Sequence, residues 1–273
     1  MTQAEVARHH VLRSRGLRID ASALSRLERG RRRSVPRQLV DALLDCYEAD
    51  QATRREILAL IDADTSPVGR PRPALWRKHA ALLSAMQFEG FLELEPRASA
   101  LYNYEPFIIP GLVQTAHYAR VVIERIRPDL KAAEVRALVE VRVDRQKKIA
   151  HGALCDFRAL IEEDALRRPL GDDAVMREQL ERLIAESERP EYAVRILPAG
   201  IGYHPGLAGP FVLMSFPEAT RNVVWVETMS SSVYFDGEAD AERYTEVFAD
   251  LWERALEPGD TRARLKAMIK ELQ

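Results

Sequence analysis

The segment TSPVGRPRP at 65–73 holds three prolines and a glycine within nine positions. Each proline lacks an amide donor and steers the residue before it away from helical dihedrals, so no regular element runs through the segment. It therefore predicts an extended linker at 65–74 that divides the chain into a head at 1–64 and a body at 75–273. The two parts differ in charge. Residues 1–37 carry ten arginines and no lysine against Glu5, Asp20 and Glu28, a net +7 in a chain whose whole charge is -2, which leaves -9 on everything after. A cationic head on an acidic body suits a polyanionic partner at one end, because affinity for nucleic acid comes largely from counterions released at neutralised phosphates.

Within the head, TQAE at 2–5 is a capping box: Thr2 can accept from the Glu5 backbone while Glu5 reaches back, which predicts a helix running to about Leu12. A second helix begins after Asp20, a good N-cap, and ends before Gly30. Its faces differ. Ala21, Leu24 and Leu27 form an apolar side, whereas Ser22, Ser25, Arg26 and Arg29 fall at i, i+3, i+4 and i+7 and form a polar one. Small hydroxyls beside a guanidinium suit insertion into a major groove, where serine meets several base edges and arginine grips guanine with two donors. Arg31, Arg32 and Arg33 follow directly, placed to touch phosphates without reading sequence. The same pattern also describes a solvated helix with a basic end favoured by its dipole, and pattern alone leaves both open. PRQLVDALLDCYEAD and TRREILALIDAD carry the apolar stripes Leu39, Val40, Leu43, Leu44, Tyr47 and Ile57, Leu58, Ile61, the closing helices of a small all-α domain.

TQAEVA followed by ASALSRLERGRRR resembles the helix-turn-helix of the Xre, or lambda-repressor-like, family. The resemblance implies a recognition helix at about Ala21–Arg29, with Ser22, Ser25 and Arg26 facing bases. Gln3, with Arg29, Arg31, Arg32 and Arg33, would contact phosphate. Ala4, Ala7, Leu24 and Leu27 would pack, and Glu28 would brace the domain. Two departures stand out: RSRGLRID is longer than the usual turn of three or four residues, and the family's first helix, which precedes Thr2, is absent. Either the reading frame begins upstream or the DNA-binding unit is incomplete.

The body reads as α+β with a mostly antiparallel sheet. LWRKHAALLSAMQFEGFLELE, PGLVQTAHYARVVIERI and AAEVRALVEVRVDRQKKIAH have helical patterns. DFRALIEE, YAVRILP, FVLMSFP, NVVWVET and SVYFD read as strands, with DAVMREQLERLIAES a helix between the first two and two more helices closing the chain. LYNYEPFIIPGLVQTAHYAR, VRVDRQ, LIEEDALRR, VRILPAGIGYHPGLAGPFVLMSF and VVWVET resemble the C-terminal domain of unknown function found behind Xre-type heads in actinobacterial regulators of the WhiJ-like group. That resemblance implies a cytoplasmic, antitoxin-like transcription regulator encoded beside a small partner protein. IIPGLVQT reads as a structural segment unless Ile108, Ile109 and Leu112 are exposed.

The enzyme classes find little support. GIGYHPG has its third glycine misplaced for a dinucleotide loop and a strand after it. The six histidines show no ligand spacing, and no GxSxG or P-loop occurs. Cys46 and Cys155 are far apart without a CxxC partner, which excludes a disulfide framework and a cysteine-zinc site. No enzyme, metal or cofactor is expected. His117, Tyr118, Tyr203, His204 and Trp225 combine aromatic and polar character and form a candidate ligand pocket. The start MTQAEVARHH has no apolar run before a cleavage site and no segment approaches the roughly 18 apolar residues of a membrane helix, so a cytoplasmic location is expected. The reading is a DNA-binding regulator acting on double-stranded DNA, dimeric because such heads read paired half-sites. The alternative is an antitoxin-like interaction module or small-molecule sensor whose truncated head binds DNA weakly.

Overall fold

The computed structural model describes residues 2–28, 36–65, 74–85, 88–150, 154, 156–217, 222–228 and 231–272. The chain divides into two compact units, Met1–Arg72 and Pro73–Gln273. Of the expected linker, residues 66–73 lie outside the described ones, as does Cys155.

The smaller unit is helical: α1 (Gln3–Ala7), α2 (His10–Ser14), α3 (Ala21–Glu28), α4 (Arg37–Cys46) and α5 (Gln51–Thr65). The capping box forms, with the Glu5 amide donating to Thr2 Oγ1 at 3.3 Å and the Thr2 amide donating to Glu5 Oε2 at 2.7 Å. The first helix stops at Ala7 instead of reaching Leu12. Val6 and Leu12 are both buried, and on one continuous helix they would point about 120° apart; the extended His9 between α1 and α2 lets both enter one core. Gly16 ends α2 in the left-handed region at φ +68°, and the Leu17 amide closes back onto the Leu12 carbonyl at 2.8 Å. Of the long connection RSRGLRID only Arg13 and Ser14 belong to this second short helix, and residues 15–20 remain turn and coil. The core joins Val6, Leu12, Ile19 and Leu24 to Leu39, Ala42, Leu43 and Cys46. Val6 anchors α1; Ala4, expected to pack, is exposed. Arg15 and Arg54 each reach both Asp41 and Asp45, tying the end of α2 to α4 and α5.

In the larger unit, α6 (Ala74–Lys78), α7 (Ala80–Ala85) and α8 (Glu89–Leu94) lead into β1 (Ala100–Glu105). Then follow α9 (Ala116–Ile126), α10 (Ala132–Ala150), β2 (Asp156–Glu162), α11 (Glu163–Arg167), α12 (Asp173–Glu186) and β3 (Tyr192–Leu197). β4 (Phe211–Ser215), β5 (Val223–Glu227) and β6 (Ser232–Phe235) come next, and α13 (Glu238–Arg254) and α14 (Pro258–Glu271) close the chain. The sheet has the order β3-β2-β1-β4-β5-β6. It is mixed, not mostly antiparallel: β1–β2 and β2–β3 pair in parallel, whereas β1–β4, β4–β5 and β5–β6 are antiparallel. The cause lies in the connections. Helices α9 and α10 stand between β1 and β2, and α11 and α12 between β2 and β3, and a crossover of that length returns the chain in the same direction. β1 itself escapes a search for alternating apolar residues because Asn103 and Glu105 occupy inward positions.

Alternation sorts the strands between two cores. Leu101, Phe157, Ala159, Ile161, Val212 and Trp225 face α8, α9, α12 and α14 on one side, and Tyr104, Leu160, Phe211, Leu213 and Val224 face α13 on the other. On the first side the coil between β1 and α9 is buried, and glutamines satisfy its backbone. The fully buried Gln179 accepts from the Thr115 amide at 2.7 Å and donates to the Val113 carbonyl at 2.8 Å. Gln114 donates to Ile109 at 2.6 Å, and Gln146 to Gly111 and Gln114 at 2.8 and 2.9 Å.

Two stability measurements check this account. Gln179→Leu fills the same space but orphans a buried donor and a buried acceptor, so urea unfolding is expected to show a loss of about 2–4 kcal/mol. Leu24→Ala opens a cavity in the small core and is expected to cost about 2–5 kcal/mol, read as lost amide-exchange protection across α1, α3 and α4.

Candidate nucleic-acid interface

Helix α3 is set by Asp20, whose Oδ1 accepts the Ala23 amide at 2.7 Å, and by Leu24, which is wholly buried. Helix α1 packs against it. Rotation by about 100° per residue then decides what each polar side chain meets. Ser22 is exposed. Ser25, by contrast, is only 8% exposed: it lies nearer the Leu24 stripe than Ser22 does. Gln3 opens α1 and is half-buried. The Arg26 side chain and residues Arg29, Arg31, Arg32 and Arg33 lie outside the described ones.

Arginine count overstates the cations on offer to a ligand, since Arg15 and Arg54 are committed to Asp41 and Asp45. Arg8, Arg13 and Arg18 are exposed and form no ion pair among the described residues. Sequence reasoning singled out none of these three. The signal separating them from Arg15 is tertiary: Arg15 meets carboxylates 26 and 30 positions away.

Of the five residues of the candidate pocket, Tyr118 and Trp225 share the core on one side of the sheet, and the other three lie elsewhere. His117 and Tyr118 are neighbours on α9, so one faces solvent and the other the core. His117 is exposed, with Nδ1 3.4 Å from Glu178. The Tyr118 hydroxyl is buried, accepts from the Ile109 amide at 3.3 Å and is pushed by burial up to about 12. Tyr203 is 96% exposed, while its neighbour His204 is buried with Nε2 3.4 Å from Glu162, beside Tyr104 on the α13 side. Trp225 packs on Phe91 with ring centroids 4.3 Å apart. A cavity of about 230 Å³ opens elsewhere, between Leu112, Gln146, Lys147, Arg182, Arg189 and Tyr192. Ile109 and Leu112 are buried, so IIPGLVQT is structural.

No helix among the described residues is long and apolar enough to cross a membrane. Comparison with curated proteins and with solved structures returns no match. Residues 1–57 match the family model of a helix-turn-helix domain, which agrees with the arrangement of α1 and α3 and marks the head as the DNA-binding type. Residues 88–267, more than half of the chain, match the model of a domain of unknown function (DUF5753). The chain belongs to the DUF5753 family and carries a helix-turn-helix head in front of that domain.

Proposed function

We propose that this protein is a sequence-specific DNA-binding transcription regulator of the Xre type and of the WhiJ-like group, cytoplasmic and without enzymatic activity. The observation that carries the reading is the helix-turn-helix match over residues 1–57 on a head with α3 braced by Leu24 and Ser22 exposed. In the proposal α3 enters a major groove, with Ser22 and Arg26 reading base edges. Ser25 reads at the margin of that face, since its burial leaves little of it for a base. Gln3, Arg29, Arg31, Arg32 and Arg33 hold phosphates and fix the register, joined by Arg8, Arg13 and Arg18. Two copies pair so that two heads meet half-sites one helical turn apart. The body at 75–273, beyond the linker at 65–74, supplies dimerisation or receives a signal or a small protein from a neighbouring gene.

The test is binding of the full chain to DNA recovered from a randomised pool, followed by anisotropy at several salt concentrations. Arg26→Ala is expected to weaken binding by about 1–3 kcal/mol and relax preference at one base pair. Replacing Arg31, Arg32 and Arg33 together by alanine is expected to weaken all sequences alike and to lower the salt slope by about three. Failure of the pool to converge on any sequence would remove the regulator reading in favour of an interaction module.

A further inference from the structure

Three of the blocks that resemble the WhiJ-like C-terminal domain lie far apart in sequence and meet on the neighbouring interior strands β1, β4 and β5. Asn103 on β1, Val212 on β4 and Trp225 on β5 are in register. Two positions further along, Glu105 and Glu227 end their strands on the same face, level with each other and two strand spacings, about 9.6 Å, apart. β4 begins at Phe211, opposite Tyr104, so in the gap between the two carboxylates the chain carries Pro210 outside the ladder. Ligands of open sheets with crossover helices collect at such carboxyl-terminal strand ends.

Helix α10 projects Arg142 toward this gap. Its guanidinium donates to Gln114 Oε1 and feels both Glu105 and Glu227, yet no ion pair forms between it and either carboxylate. Neither carboxylate has a hydrogen bond or ion pair among the described residues. Both keep access to solvent, Glu105 partly and Glu227 openly, while the surrounding protein is dense enough to raise both: burial, then the Glu227 charge, pushes Glu105 up to about 8, and burial raises Glu227.

One pleat inward from Glu105, on the same face, Asn103 is only 7% exposed and its Oδ1 has no hydrogen-bond partner. A buried acceptor left unmade costs about 1–3 kcal/mol, so an occupant that donates to it recovers that cost. The other nearby guanidinium, Arg145, is already paired with Glu95 at 2.7 Å. The cluster therefore presents more acceptors than donors: two carboxylates and the Asn103 amide oxygen against the guanidinium of Arg142 and the buried indole N–H of Trp225.

We infer that Glu105, Glu227, Arg142 and Asn103 form a binding site for a small organic cation of the amine or guanidine class. The carboxylates hold its charge and N–H donors, Asn103 accepts a further donor, and the unused donors of Arg142 take an acceptor on the same molecule. An ordinary hydrophobic pocket is not involved, which is why the search for clustered aromatics pointed elsewhere.

The test is isothermal titration of the full chain with methylguanidinium. Tetramethylammonium reports on charge without N–H donors, and acetate on the opposite charge. Saturable methylguanidinium binding is expected, stronger than that of tetramethylammonium and weakened about tenfold or more by Glu105→Gln and by Glu227→Gln, each of which removes one charged acceptor. Affinity should also rise from about pH 6 to about pH 9 as Glu105 loses its proton in the face of Glu227, Arg142, Tyr104 and Tyr118, of which Arg142 and both tyrosines titrate higher still. Absence of saturable methylguanidinium binding, binding unchanged in both variants, or a preference for acetate would each overturn the assignment. Should Glu105→Gln fail to fold, the solvent-exposed Glu227→Gln decides alone. DNA affinity is not a readout, so the outcome is independent of the regulator reading.

Discussion

A stretch of irregular backbone, residues 106–115, lies against one face of the sheet with Ile109, Val113 and Gln114 almost fully buried. Buried coil carries amide and carbonyl groups that no ladder satisfies, so side chains must do it. Gln114, Gln146 and Gln179 perform that task from the coil, α10 and α12, and in doing so lock both helices to the sheet. Arg145 adds the charged part of the same clamp. It pairs with the buried Glu95 and lies over Phe88 and Phe91, and Gly111 makes room for it, since a Cβ there would stand 3.1 Å from its Nη2. A buried pair of this kind contributes little net energy beside an apolar substitute, but loss of one partner costs about 3–5 kcal/mol. Its value is therefore positional: it fixes where α10 sits over the ends of the strands.

The parts of the fold that local chemistry specifies were legible in the sequence. Thr2 and Glu5, Asp20 and Leu24 each announce a helix start or its inward face through contacts no more than a turn away. Five of the strands are rich enough in valine, isoleucine and aromatics, between turn residues, to read directly. What stayed hidden depends on partners distant in the chain. The direction of β2 and β3 follows from crossovers, and β1 has polar residues at inward positions because a polar site, not a core, faces them. Likewise nothing within the sequence of the head distinguishes Arg15, held by Asp41 and Asp45, from Arg13, which is exposed. The five residues of the candidate pocket failed to converge for a simpler reason: composition says which side chains suit a ligand, but neighbours on a helix, such as His117 and Tyr118, face different ways.

In the head, a short helix such as α3 has little stability of its own, since isolated helices below about 12–15 residues are marginal in water. Helix α3 spans Ala21–Glu28, so its geometry is borrowed from Leu24 and from α1 packed against it. That dependence explains why α1 and α2 are separate. A single straight helix would have sent Val6 and Leu12 to different sides and left one flank of α3 without support. The same packing turns Ser25 inward and leaves Ser22 outward, so the exposed polar face of α3 is narrower than the polar stripe of the sequence suggests.

Arg142 and Arg145 are one turn apart on α10 and therefore share a face, but their environments divide their work. Arg145 is closed in by Glu95, two aromatic rings and Gly111. Arg142 shares only the Gln114 amide oxygen and otherwise looks toward two unpaired carboxylates. Because Gln114 also donates to the Ile109 carbonyl, Arg142 is linked through it to the coil that clamps α10 and α12. Helix α10 thus carries one guanidinium enclosed by the core and another tied to it only through Gln114.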